Sequence, residues 1–269
     1  MKKLGIAILI ILFVAVVASG IYFVFFQDSL SESVESQNVN VDMPLENSEV
    51  QKKELDIHSY IVEDLYQKIN PSDDAMLLKG LYGGESLSNE YILAVGAMNY
   101  IRKTVPIDAE MVQNMMFTLN ISKKDLEQNI YEIFGNIEYQ DEDFYVLNGD
   151  YGVCGFTYQP EIEQYISLNG CGGSNTDSFV REVVSARQEG NFLYIIEKSI
   201  YIYADWNETI TRKYIYNNCQ QDKMLDYQET PSTESHLVEL DDYIEEAATY
   251  EYVFENQNGQ YIFKDIHQV

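Results

Sequence analysis

The chain has 269 residues and sets 44 acidic against 17 basic side chains, a formal charge of −27. That balance argues against nucleic acid as a partner, because neutralising phosphates requires Lys and Arg. It suits a solvated acidic surface, cationic partners or loosely held divalent cations, and the first is the plainest reading.

The chain opens Met1-Lys2-Lys3, followed by an uncharged run, "LGIAILIILFVAVVASGIYFVFF", from Leu4 to Phe26. As a helix rising about 1.5 Å per residue, this run is long enough to cross a hydrocarbon core about 30 Å thick. Residues 4–26 are therefore expected to form a transmembrane anchor. A cleaved signal peptide is the rival reading, with "ASG" (Ala18 to Gly20) as its cleavage site. The apolar run, however, continues past that point as "IYFVFF". Lys2 and Lys3 flank one side, and acidic "QDSLSESVES" follows the other. The positive-inside rule then places a stub, residues 1–3, in the cytoplasm and the rest outside, with membrane lipid as the helix's partner. So short a stub holds no signalling domain, so any inward message is expected to need a partner. Residues 27–55, rich in Ser, Asn, Gln and acids without periodicity, read as a flexible acidic linker.

From residue 56 the pattern turns helical. "SYIVEDLYQKINP" puts Ile61, Val62, Leu65, Tyr66 and Ile69 on one face before Pro71. "SDDAMLLKGLYGG" predicts a short second helix. "LSNEYILAVGAMNYIRK" predicts a third, capped by Ser88 and burying Ile92, Val95, Met98 and Ile101. "DAEMVQNMMFTLN" offers Met111, Met115 and Met116 as a core face. "ISKKDLEQNIYEIFG" places Ser122 three residues before Asp125, a capping-box arrangement, and ends at Gly135. A helical lobe over 56–135 follows from these segments.

After Gly135 the period changes to two, predicting an antiparallel β lobe with one short helix over 136–269. Phe179 to Asn217 reads as three strands turning at Glu189-Gly190 and around Trp206-Asn207. "CQQDKMLDYQETPSTESH" reads as loop, and "LDDYIEEAAT" as the short helix. "TYEYVFENQNGQYIFKDI" is a hairpin about Asn258-Gly259, the strongest short-range hairpin signal. Helices followed by antiparallel strands make the fold class α+β.

The pieces "DIHSYIVEDLYQKINPSDDA", "LSNEYILAVGAMNYI", "KDLEQNIYEIFG", "NGCGGS" and "YEYVFENQNGQYIF" resemble a group of uncharacterised, single-pass, membrane-anchored extracytoplasmic proteins of low-GC Gram-positive bacteria. The resemblance rests on general order and a few phrases, and covers most of 56–269. It implies a location at the cell envelope and no particular activity. The chain departs from many such proteins in lacking a cysteine to accept a lipid.

Cys154 and Cys171 flank "GFTYQPEIEQYISLNG", which reads as a strand, a turn at Gln159-Pro160 and a returning strand. Outside a membrane disulfides persist, and a hairpin would bring the two sulfurs together. The expected clip is Cys154–Cys171, worth roughly 3 kcal/mol in the chain-entropy model. Bridges to Cys219 remain the alternatives. A redox pair would want C-x-x-C, and zinc would want more ligands than Cys219 and the scattered His58, His236 and His267 supply. "NGCGGSN" lacks the Lys-Ser/Thr of a phosphate loop. The acidic runs at Asp141 to Asp143 and Glu239 to Glu246 do not fit a calcium loop. No cofactor and no catalytic residue are therefore nominated.

Tyrosine is the compositional outlier, at 22 residues, most of them after Gly135. Tyr250, Tyr252 and Tyr261 have the spacing of a core face. An exposed strip could instead stack on sugar rings or grip a protein. Trp206, the only tryptophan, sits at an expected hairpin tip and is the best single candidate for an interaction surface. The chain thus reads as an anchored binding or interaction module whose partner is an envelope protein or glycan. A carboxylate-based envelope hydrolase and a structural subunit of a membrane complex are the competing classes.

Overall fold

The computed structural model describes residues 52–70, 75–82, 86–104, 119–148, 153–169, 177–234 and 237–269. These belong to one compact unit, Glu49–Val269. The expected anchor over 4–26, most of the linker, Met111, Met115, Met116, Cys171 and His236 lie outside the described residues. Among the described residues, no helix is long and apolar enough to cross a membrane.

The fold is α+β, and every strand pairing among the described residues is antiparallel. In chain order the elements are β1 (Lys52–Leu55), α1 (Tyr60–Ile69), α2 (Ala75–Tyr82), α3 (Asn89–Thr104), β2 (Asn120–Ser122) and α4 (Lys123–Phe134). There follow β3 (Phe144–Asn148), β4 (Val153–Gln159), β5 (Gln164–Asn169), β6 (Asp177–Glu189), β7 (Phe192–Trp206), β8 (Ile210–Tyr216) and β9 (Met224–Pro231). A 3-10 turn at Leu240–Tyr243 leads to β10 (Ala248–Gln257) and β11 (Gln260–Gln268).

Capping residues start the helices where the sequence places them. The Tyr91 N–H donates to Ser88 Oγ at 3.2 Å, and the Asp125 N–H donates to Ser122 Oγ at 3.1 Å. Each satisfies a backbone donor that the first helical turn cannot. The α3 helix is buried nearly all round, from Tyr91 to Asn99, as expected of a helix enclosed on several sides. Gly96 brings α4 close, since a Cβ there would stand 2.5 Å from Ile130 Cγ1. On α1, Val62, Leu65 and Ile69 are buried, while Ile61 lies at the exposed margin of the face.

Two sheets form. The smaller runs β2-β5-β4-β3. The larger runs β1-β6-β7-β10-β11, with β8 and β9 branching from it. The branch arises because β7 is long. Its first half, from Phe192 to Ser199, pairs with β10, and its last residues, Tyr201 to Trp206, pair with β8. Beyond β10 the strands β7-β8-β9 continue as an arm, with β6 flanking β7 as far as Asp177 opposite Tyr203.

One hydrophobic core joins the helices to both sheets. It holds Val62, Leu78, Leu93 and Ile130 from helices together with Phe156, Ile195, Tyr252 and Phe254 from strands. This corrects the expected division into a helical and a β lobe. β1 and β2 precede or interrupt the helices, yet pair with β6 and β5 respectively. The linker also ends sooner than expected, because Lys52–Leu55 pairs with β6 rather than remaining part of the tether. The segment expected as loop after Cys219 contains β9. It was obscured by polar residues that an edge strand tolerates. The expected helix at "LDDYIEEAAT" is reduced to the short 3-10 turn.

Candidate functional site

Strand alternation and register build the most exposed feature, one face of the β7-β8-β9 arm. Side chains two apart on a strand share a face, and residues opposite each other on neighbouring strands lie side by side. Tyr203 pairs with Tyr214, and Tyr214 with Tyr227, so three phenol rings form a rung across the arm. Their ring centres lie 5.9 and 5.2 Å apart. Tyr203 is 40% and Tyr227 43% exposed.

The next rung outward is Asp205, Arg212 and Glu229, again in register. Arg212 Nε lies 3.3 Å from Glu229, and Arg212 Nη1 lies 3.8 Å from Asp205. The Tyr227 hydroxyl donates to the same Glu229 oxygen at 2.7 Å. Hydrogen bonds from Tyr227 and Arg212 lower the Glu229 pKa, while Glu229 raises that of Tyr227. The inward rung is Tyr201, Tyr216 and Met224, of which Tyr201 is buried and Met224 exposed.

The reverse face of the arm is covered at its base. Ile200, Ile202 and Ile215 are buried there against Leu240 and Ala247, with Val238, Tyr243 and Ile244 packed alongside. Tyr243 also donates to Asp226 at 2.8 Å. Around Tyr203 and Tyr227 the tyrosine face is exposed. Trp206 is exposed at the arm's tip, but alternation puts it on the opposite face from Tyr203.

A second constellation lies inside the core. The Glu197 carboxylate, on the centre of β7, is fully buried. Tyr82 donates to Oε1 at 2.6 Å, Tyr252 to Oε2 at 3.1 Å, and Tyr66 to Oε2 as well. Arg181 of β6 approaches Oε2 at 3.8 Å and donates to Asn70 Oδ1 at 2.6 Å. Burial raises the Glu197 pKa, outweighing the attraction of Arg181 and the three phenol donors. Burial, and then the same carboxylate, hold the Tyr82 and Tyr252 phenols well above their ordinary range. Burial opposes the charge of Arg181, yet its phenol and carboxylate neighbours keep it firmly protonated. With its oxygens occupied by donors and no exposed surface, Glu197 fastens α1, α2 and β10 to β7. It offers no open carboxylate to a substrate.

A cleft of about 770 Å³ lies where α3 and α4 begin. The segment from Ile137 to Glu142 walls it, and Leu87 and Ile92 add apolar surface. Asn89 clamps that wall through Gln140, accepting from its N–H at 2.7 Å and donating to its carbonyl at 2.9 Å. Lys123 pairs with Asp141, which also accepts from the Tyr165 hydroxyl. Burial, with Glu127 and Asp141 nearby, pushes the Tyr139 phenol up to about 12. The polar groups of the wall thus serve its own architecture.

Cys154 stands on β4 and is buried, within the hairpin expected from sequence. Its expected partner, Cys171, lies outside the described residues. Cys219 is a free thiol, and burial raises its pKa. Bridges from Cys219 to either other cysteine are thereby removed. His58 and His267 are exposed beside carboxylates, at Glu63 and at Asp265 and Glu251. Among the described residues, no group of His, Cys, Asp and Glu is arranged to hold a metal.

No family model matches the chain, and neither a curated protein nor a solved structure matches it.

Proposed function

We propose that the chain is a membrane-anchored, extracytoplasmic binding module of the bacterial cell envelope, using the open face of the β7-β8-β9 arm as its contact surface. One observation carries this reading. Three tyrosines lie side by side in register on one side of a sheet whose other side is covered at its base. Exposed aromatic surface is energetically costly in water unless something covers it, so clusters of it on an otherwise acidic domain mark contact sites. Met224, also exposed, extends apolar surface to the inner edge of the same face.

The run from Leu4 to Phe26 and the flanking Lys2 and Lys3 support an anchored, outward-facing placement. The test is co-sedimentation of the full chain, in mild detergent, with isolated host cell envelopes. Changing Tyr203 and Tyr227 together to Ser should weaken retention at least tenfold, while circular dichroism stays unchanged. Equal retention of a folded double variant removes the arm from the reading.

A further inference from the structure

We draw no further inference here: the strongest candidate, the cleft of about 490 Å³ between α1, α3, α4 and the β10-β11 turn, carries nothing, because its charged side chains pair with one another, Lys68 with Asp64 and Lys103 with Glu132, and nothing in the structure shows what would occupy it.

Discussion

Replacing Glu197 tests how the fold is fastened. In Glu197→Ala, the buried hydroxyls of Tyr82 and Tyr252 and the part-buried hydroxyl of Tyr66 lose their common acceptor. Arg181, whose side chain is 9% exposed, loses its counter-ion. An orphaned buried donor costs about 1–3 kcal/mol, and removing one member of a buried charge pair costs about 3–5 kcal/mol. These effects overlap, because the groups share one carboxylate, so a total near ~4 kcal/mol is expected. Against the ~5–15 kcal/mol that holds a typical domain, such a loss leaves the unit marginal. Glu197→Gln keeps the shape and one acceptor oxygen but also removes the charge beside Arg181, so it should cost less than the Ala variant, about 2–3 kcal/mol at neutral pH. Urea unfolding of residues 49–269, with midpoints compared at constant slope, measures both. A loss below about 1 kcal/mol in the Ala variant would refute the view that this network ties helices to sheet.

The same residue makes a signed pH prediction. Folding raises the Glu197 pKa, so its contribution is fully present below the unfolded value of about 4.3 and is lost as pH rises through the folded value. The stability of the wild type relative to Glu197→Gln should therefore fall with rising pH, and a difference constant from pH 4 to 8 would contradict the shift. Cys154→Ser should remove the expected clip and lower the melting temperature by about 6–12 °C, from ~3 kcal/mol at ~2–4 °C per kcal/mol, whereas Cys219→Ser leaves it nearly unchanged. An unaltered melting curve for Cys154→Ser would dispose of the clip. Gly96→Ala separates local preference from packing. Helix propensity alone favours Ala by about 1 kcal/mol, but the new Cβ meets Ile130 at 2.5 Å, and overpacking costs about 1–3 kcal/mol. A net loss of ~1 kcal/mol is expected by thermal denaturation; a stabilised variant would show that α4 yields freely.

Some elements were legible because their signals are local. Asn258-Gly259 turns between β10 and β11 with positive φ at both residues, 57° and 90°, which an Asn-Gly pair adopts readily. Ser88 and Ser122 cap their helices through bonds that span three residues. The β4-β5 hairpin and the buried Tyr250 and Tyr252 follow equally from nearby alternation. β1 and β9 were not legible. "KKEL" and "MLDYQETP" carry little apolar pattern, and become strands because distant β6 and β8 satisfy their backbone groups.

Chain order, capping, hairpins, acidity and the α+β class were determined by the sequence alone, because each depends on residues near one another or on composition. The candidate sites were decided by tertiary structure. Glu197 shares its strand parity with Leu193 and Ile195, yet nothing local reveals that Tyr66, Tyr82 and Tyr252 will converge on it from two helices and another strand. The tyrosine rung likewise depends on two strand registers, because a shift of one residue in either would turn a ring to the covered side of the arm. Sequence supplied the tyrosines and their alternation; only the packed sheet aligned them and left one face open.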